Sequence, residues 1–357
     1  MPVLRREAMM KELTIIRSGS MHEAPKERIC VCHITSRCNL GCSYCISHSI
    51  LNTVQWSREV FFRNLDWIKS DGRTTSLMFF GGEPFIHPDL LDAVAKCKAE
   101  MSCRLSAMSN IVVPLNYLQR LYDIDPDFLT MVSVHFEKIN IPKFLEKATF
   151  LASRNKPTKF KLMLHPQFRA EAHTVYDELL KLTPSSNINC SMIRFPEDKY
   201  DHFASTYNQE DWDFMNRINA DEPRKDCFVE FCDADGKTYI VNDKYESILE
   251  KGLLHFGDML CTVDAYKCII DTTGNARMHV CRRQPKTFGE PLYTDTPVPC
   301  RRKNCYCGGH VEMPKFRAPM VDFEHAGTPS PASLSLSLDS IYVENQDGKY
   351  TYFLKEE

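Results

Sequence analysis

Residues 28–45 read RICVCHITSRCNLGCSYC, an apolar strand pattern that runs directly into three closely spaced cysteines. Cys38, Cys42 and Cys45 have the spacing C-x3-C-x2-C, so three thiolates on one short loop can face a common centre. Soft sulfur ligands select zinc or an iron–sulfur cluster, and a centre with only three protein ligands keeps an open coordination position. This loop is therefore the first candidate for chemistry.

Short β-rich runs alternate with amphipathic stretches from this strand to about residue 219, which is the pattern of a parallel α/β sheet or barrel. The predicted strands are residues 28–35, 76–80, 104–108, 128–136, 159–164 and 188–195. The predicted helices are residues 57–70, 88–101, 114–122, 142–154, 169–182 and 210–219. These βα units predict an α/β fold, either an open parallel sheet or a partial (β/α)6 TIM-type barrel.

The character of the chain changes after about residue 221, where short strands are joined by hairpin-type turns. The predicted turns are Asp235-Gly236, Gly274-Asn275 and Asp347-Gly348. Gly327, Pro329 and Pro331 predict a linker before the last hairpin. The expected division is an extension at 1–27, the barrel at 28–220, a small β-rich, cysteine-rich domain at 221–325, and a linker with a C-terminal β-hairpin at 326–357.

The composition narrows the class of protein. The chain has 357 residues, with 44 Lys and Arg against 47 Asp and Glu, and this balance argues against nucleic-acid and membrane-surface partners. It contains no apolar run long enough for a membrane span and no signal-peptide pattern at its start. We therefore expect a cytoplasmic protein whose 16 cysteines are metal ligands, catalytic thiols or buried apolar residues rather than disulfides.

A second motif directly follows the second predicted strand, where Gly81, Gly82, Glu83 and Pro84 read GGEP. Glycines let the backbone come close to a ligand, and a carboxylate can pair with an ammonium group. Ser109-Asn110 follows the third strand. With the three cysteines and with Tyr44 immediately before the last of them, these motifs resemble the radical S-adenosylmethionine (radical SAM) superfamily over about residues 28–219.

The resemblance implies a 4Fe–4S cluster with Cys38, Cys42 and Cys45 on three irons and S-adenosylmethionine on the fourth. A reducing donor such as flavodoxin or ferredoxin would supply the electron that cleaves S-adenosylmethionine to a 5′-deoxyadenosyl radical, which abstracts hydrogen from an unactivated carbon. The implied cofactor-binding residues are Tyr44, Gly81, Gly82, Glu83, Pro84, Ser109, Asn110 and Arg194. A structural zinc with Cys32 as fourth ligand is the alternative.

A second cysteine group lies between residues 261 and 307, and its members are Cys261, Cys268, Cys281, Cys300, Cys305 and Cys307. It resembles the SPASM or twitch domains that bind auxiliary 4Fe–4S clusters in many radical SAM enzymes. It departs from them in the six residues between Gly274 and Cys281, where four are common, and in its C-x4-C-x-C ending. We expect one auxiliary cluster on Cys261, Cys281, Cys300 and Cys305, with Cys307 as a substitute, or a structural zinc that also uses His279 or His310.

Polar residues alternate along two of the predicted barrel strands, with Ser133, His135 and Glu137 on one and Lys161 and His165 on the other. Period two places each set on one face, and chemistry in such barrels occurs at the carboxyl ends of the strands. His135, Glu137, Lys161 and His165 are therefore the candidates for substrate contacts or general acid–base catalysis.

The resemblance and the second cysteine group together favour a net oxidation. The expected reactions are dehydrogenation, or a carbon–carbon or carbon–sulfur crosslink, on a small polar or peptide substrate. A small substrate is preferred because only about 27 residues precede the barrel. The alternatives are a redox-neutral epimerase or rearrangement enzyme, with Cys232 returning a hydrogen atom, and a non-catalytic metal-binding interaction module.

Overall fold

A computed structural model describes residues 10–21, 27–45, 54–154, 158–193, 207–220, 226–277, 285–300, 305, 313–322, 324–346 and 349–355. The strands are β1 (Met10–Ser20), β2 (Ile29–Thr35), β3 (Ser76–Gly81), β4 (Arg104–Ser109), β5 (Leu129–Val134), β6 (Lys159–Leu164), β7 (Ile188–Met192), β8 (Asp226–Asp233), β9 (Thr238–Lys244), β10 (Leu260–Cys261), β11 (Lys267–Ile270), β12 (Ala276–Arg277), β13 (Pro285–Lys286), β14 (Val298–Pro299), β15 (Lys315–Phe316), β16 (Leu334–Leu336), β17 (Ile341–Gln346) and β18 (Lys349–Lys355). The helices are α1 (Arg58–Asp71), α2 (Leu90–Glu100), α3 (Leu115–Ile124), α4 (Ile141–Ser153), α5 (Arg169–Leu182), α6 (Gln209–Ile218), α7 (Tyr245–Glu250) and α8 (Val263–Tyr266).

The chain forms two compact units. We call the first the barrel unit, which comprises Glu27–Glu222 and Lys267–Tyr293. The second unit comprises Met1–Lys26, Pro223–Tyr266 and Thr294–Glu357.

The sheet of the barrel unit carries β2 to β7 side by side and parallel, in chain order. The predicted partial barrel is confirmed, and each predicted strand and helix begins within two residues of the observed one. In β6 the side chains of Phe160, Leu162 and Leu164 are buried, whereas Lys161 is partly exposed. This alternation turns one face of the strand toward the apolar core and the polar residue toward the other face.

The parallel order brings the candidate motifs to one edge of the sheet. The cysteine loop follows β2, GGEP begins at the end of β3, Ser109 ends β4, His135 follows β5 and His165 follows β6. Because all these strands run in the same direction, their carboxyl ends meet at the same edge.

Residues 267–293 lie in the barrel unit, which differs from the expected division at residue 220. β11 pairs in parallel with β2, with Cys268 opposite Cys30, and β12 and β13 continue the same sheet. The pairing joins strands that are more than two hundred residues apart, so local sequence periodicity does not reveal it. The predicted turn at Gly274-Asn275 is present between β11 and β12.

β1 lies inside the sheet of the second unit, whereas the sequence predicted only an N-terminal extension at 1–27. β1 pairs antiparallel with β8, β15 and β18, and it buries Leu13 and Ile15. Its register shifts between Ile15 and Arg17, and this irregularity breaks the alternation that would have predicted a strand.

The C-terminal part of the second unit contains the predicted hairpin and the stretch predicted as a linker. β17 and β18 form an antiparallel hairpin, as expected, although Asp347 and Gly348 of its predicted turn lie outside the described residues. The predicted linker begins at Ala326, which is buried in an apolar cluster, and Pro331 within it is exposed. β16, which follows the linker, pairs with β9. Among the described helices of both units, none is long and apolar enough to cross a bilayer.

Candidate active site

The cysteine loop is fastened to the GGEP segment through the backbone. Gly82 N donates to Thr35 O at 2.8 Å, and Glu83 N donates to Arg37 O at 2.8 Å. Thr35 ends β2 and Arg37 directly precedes Cys38, so these two hydrogen bonds fix the point from which the loop departs.

Both glycines are required by this close approach of two backbones. A Cβ on Gly81, where φ is +147°, would lie 1.9 Å from Thr35 O, and a Cβ on Gly82 would lie 2.1 Å from Arg37 O. The sequence explained these glycines by the approach of a ligand. The structure shows that the space of each missing side chain is taken by the backbone at the start of the cysteine loop.

We expect Gly82→Ala to lower the free energy of unfolding by about 1–3 kcal/mol, because the added methyl overlaps a backbone carbonyl that cannot rotate away. Gly257→Ala is the matched control, since nothing lies within 4 Å of its added Cβ. Chemical denaturation of both variants measures the difference. Equal free energies of unfolding would show that the Arg37 carbonyl can move aside without a loss of stability.

Glu83 ties the ends of β3 and β4 together. Its carboxylate accepts from Phe85 N (2.9 Å) and Ser109 Oγ (2.8 Å) through one oxygen and from Asn110 N (2.7 Å) through the other. The side chain is 1% exposed. Burial raises the pKa of Glu83 to about 7, although its three hydrogen bonds act to lower it.

This raised pKa predicts a pH-dependent contribution to stability. The folded protein holds the proton of Glu83 more tightly than the unfolded chain, where the pKa is about 4.5. The contribution is therefore present below pH 4.5 and is lost as the pH rises through 7, by roughly 3 kcal/mol at about 1.36 kcal/mol per pKa unit. Measured against Glu83→Gln, which does not titrate, wild-type stability should fall over this range. A difference between the two proteins that stays constant with pH would contradict the prediction.

Asn110 joins the β4 end to the cysteine loop. Its amide donates to Asn39 Oδ1 at 2.9 Å and lies 3.8 Å from the sulfur of Cys38. Asn39 in turn donates to Val112 O at 2.6 Å. Sequence reasoning missed Asn39, and its only signal was its place inside the cysteine motif.

Tyr44 connects the cysteine loop to β5. Its hydroxyl lies 2.9 Å from His135 Nδ1 and also hydrogen bonds with the thiol of Cys42. When the hydroxyl donates to a Cys42 thiolate, His135 must donate to the hydroxyl from Nδ1, which leaves Nε2 as the acceptor nitrogen. Burial lowers the pKa of His135 to about 4, so this imidazole is neutral at pH 7.

Glu137 also holds the loop from the β5 side. Its carboxylate accepts from both the backbone N (2.9 Å) and the hydroxyl (3.1 Å) of Ser43. Burial acts to raise the pKa of Glu137, but the hydrogen bonds from Ser43 and Lys138 keep it below its usual value. Glu137 is thus a negatively charged anchor of the loop, and Ser43 is a second loop residue that the sequence did not single out.

His165 lies at the same edge, with its ring centroid 5.8 Å from that of Tyr44. Its Nδ1 accepts from Gln167 N at 3.1 Å, and burial lowers its pKa below the usual value. Lys161 is on the neighbouring part of β6, directly beside Ser133 of β5. The rings of Tyr44, His135 and His165 therefore lie close together. Lys161 lies within β6, before His165 in the chain.

The loop cysteines are more exposed than most of the other described thiols of the barrel unit. Cys38, Cys42 and Cys45 are partly exposed, whereas Cys32 is fully buried in β2 with its sulfur 4.0 Å from that of Cys30. Among the described residues, no three Cys, His, Asp or Glu side chains form a group ready to hold a single metal ion. Three thiolates that each bind a different iron of one cluster do not need to converge on a single point.

The radical SAM superfamily profile matches residues 32–144, which contain the cysteine motif, GGEP and Ser109-Asn110. Residues 32–144 are thus a radical SAM domain. A domain of this family implies a 4Fe–4S cluster and S-adenosylmethionine as cofactors, and the three accessible thiols on a fastened loop fit that cluster.

One relative is an S-adenosylmethionine-dependent nucleotide dehydratase from Selenomonas ruminantium. The two proteins are 32% identical over 88 residues, and the match covers 24% of this chain and 30% of that protein. The chain therefore matches less than a third of the relative's length.

Three solved structures are similar to this chain at low sequence identity. Streptococcus suis SuiB bound to S-adenosylmethionine has a TM-score of 0.47 and 12% identity, covering 75% of this chain and 67% of that one. anSMEcpe with bound AdoMet has a TM-score of 0.44 and 13% identity, covering 72% and 73%. BtrN with AdoMet and 2-DOIA has a TM-score of 0.33 and 15% identity, covering 56% and 90%.

Part of the second cysteine group lies within the described residues. Cys261, Cys300 and Cys305 are buried in one apolar core of the second unit. Cys300 N donates to Met259 O at 2.7 Å, and Cys305 N donates to Leu254 O at 2.9 Å. Cys281, Cys307, His279, His310 and the cofactor candidate Arg194 lie outside the described residues.

Proposed function

We propose that this radical SAM protein cleaves S-adenosylmethionine reductively and oxidises a small polar substrate by hydrogen abstraction. The observation that carries the proposal is the cysteine loop, whose accessible thiols are held in place by Gly82, Glu83 and Glu137. An electron donor such as flavodoxin or ferredoxin would reduce the bound cluster.

The cofactors supply a 5′-deoxyadenosyl radical when they are bound to Cys38, Cys42 and Cys45. The residues of the chain then orient the bound cofactors and protect the radical. Glu83 and Asn110 keep the end of β4 against the loop, and Tyr44 places a hydrogen-bond donor on the Cys42 sulfur. Such outer contacts fix ligand orientation and tune the potential of a metal centre.

A net oxidation also needs a proton acceptor and an electron acceptor. After loss of a hydrogen atom, the substrate radical must still lose one electron and one proton to become the dehydrogenated product. His135 can take the proton, because its imidazole is neutral and Nε2 is its acceptor nitrogen in the network with Tyr44. The electron would pass to an auxiliary 4Fe–4S cluster on Cys261, Cys281, Cys300 and Cys305 or Cys307.

A redox-neutral dehydration of a nucleotide is the second candidate. The name of the Selenomonas ruminantium relative supports it, because removal of water requires no electron acceptor. A redox-neutral epimerisation or rearrangement would instead need a hydrogen-atom donor. Cys232 is buried in the second unit, with its sulfur 3.4 Å from Asp233 O.

The test uses the full chain, reconstituted without oxygen and supplied with dithionite and S-adenosylmethionine. We expect methionine and 5′-deoxyadenosine to form. Candidate substrates, including nucleotides and small polyols and amines, are then compared by product mass. Loss of two hydrogens supports the oxidation, loss of water supports the dehydration, and failure to cleave S-adenosylmethionine would contradict both.

A further inference from the structure

A lysine is buried among the thiols of the second unit. Lys315 is 1% exposed and is among the largest fully buried side chains in the described residues. An ammonium group rarely occupies such a place unless negative charge or hydrogen bonds compensate for the lost water. Its presence there therefore calls for an explanation.

The strand pairing puts Lys315 on the same face as two of the cysteines. Cys261 of β10 lies directly opposite Lys315 of β15, and it also lies opposite Val298 of β14. Cys300 is two residues beyond Val298, and period two returns it to the face that carries Cys261. Lys315 and both thiols therefore share one side of this sheet.

A backbone carbonyl and an aromatic ring lie beside the Lys315 ammonium. Its ammonium donates to Met313 O at 2.9 Å and lies 5.1 Å from the ring centroid of Phe256. Met313 and Phe256 belong to the same apolar core as Cys261, Cys300 and Cys305. Three candidate cluster ligands thus lie in the core that the Lys315 ammonium borders.

We propose that Lys315 is the charge-compensating residue of the auxiliary iron–sulfur cluster and holds the reduction potential of that cluster up. A 4Fe–4S cluster with four thiolate ligands carries net negative charge, which grows by one unit when it accepts an electron. A fixed positive charge in a medium of low dielectric stabilises the reduced form more than the oxidised form. The inference rests on the proposed auxiliary cluster and adds a residue that no cysteine motif contains.

The experiment measures the auxiliary cluster alone. The full chain with Cys38, Cys42 and Cys45 replaced by alanine serves as the parent, so that only the second site can hold iron, and its midpoint potential is found by redox titration with electron paramagnetic resonance. We expect Lys315→Met to disfavour reduction at least tenfold, a shift of about 59 mV to more negative potential for one electron. Lys315→Arg should stay within a few-fold of the parent. Lys244→Met, which removes a partly exposed lysine of the same unit, should not change the potential.

A purely structural lysine would give a different result. If Lys315→Met is loaded with iron and its potential equals that of the parent, the inference is overturned. If Lys315→Met does not load while Lys315→Arg does, a positive charge is required for the cluster and the inference stands. If Lys315→Arg also fails to load, the shape of the side chain matters rather than its charge, and the inference is overturned.

The same samples separate this inference from the proposed function. A parent without any iron–sulfur cluster, alongside a wild-type protein that cleaves S-adenosylmethionine, would overturn the role of Lys315 and leave the function in place. A loaded parent with the expected shift, alongside a wild-type protein that does not cleave S-adenosylmethionine, would do the reverse.

Discussion

Replacing Cys38, Cys42 and Cys45 together by alanine should reduce formation of 5′-deoxyadenosine to the background without enzyme. These thiols are the ligands through which the family binds its catalytic cluster, and the structure makes them the accessible cysteines of a loop fastened from β3, β4 and β5. Without them the electron has no path to S-adenosylmethionine. Chromatography of dithionite-reduced reactions measures the product.

The matched control is Cys103→Ala. Cys103 is a further partly exposed cysteine of the barrel unit, but it lies outside the motif. It should keep wild-type cleavage within about twofold, in line with a surface substitution away from the site. Cleavage that survives in the triple variant, or that is lost equally in the control, would contradict the assignment of the loop.

Replacing Cys261 and Cys300 by alanine should remove about half of the iron and abolish product formation, while S-adenosylmethionine cleavage without product continues. The reason is that the radical arises at the barrel loop, whereas the electron left by substrate oxidation needs the second site. Iron analysis and the ratio of 5′-deoxyadenosine to product measure the two effects.

Cys227→Ala is the control for this pair. Cys227 is buried in the same apolar core of the second unit but is not an expected ligand, so the variant tests the loss of a core thiol alone. We expect its iron content to match that of wild type. Full iron in the Cys261 and Cys300 variant would show that these thiols hold no cluster, and product formed at the normal rate would favour the redox-neutral reaction.

The barrel could be predicted because the sequence patterns of its strands and helices are local. Each βα unit carries its own strand and helix pattern, and parallel order follows from the alternation. The meeting of the cysteine loop, GGEP and Ser109-Asn110 at one edge followed from the same order. Their use as cofactor ligands remains a proposal that the variants above address.

Other features depend on contacts between distant residues and had no local signal. The pairing of β11 with β2 and the central place of β1 are of this kind. Glu83 shows the same limit for a site residue: the motif predicted a carboxylate near a ligand, whereas its oxygens accept from Phe85, Ser109 and Asn110. The position of Lys315 opposite Cys261 follows only from the pairing of β10 with β15.

The most direct test of the two-cluster account is iron and acid-labile sulfide per chain, measured on anaerobically reconstituted wild-type protein and on the Cys38, Cys42 and Cys45 triple variant. Two clusters in wild type and one in the variant would give about eight and about four irons per chain, with matching sulfide. About four irons falling to none, with zinc bound instead, would contradict it: the second site would then be structural, and the redox-neutral reaction would be favoured.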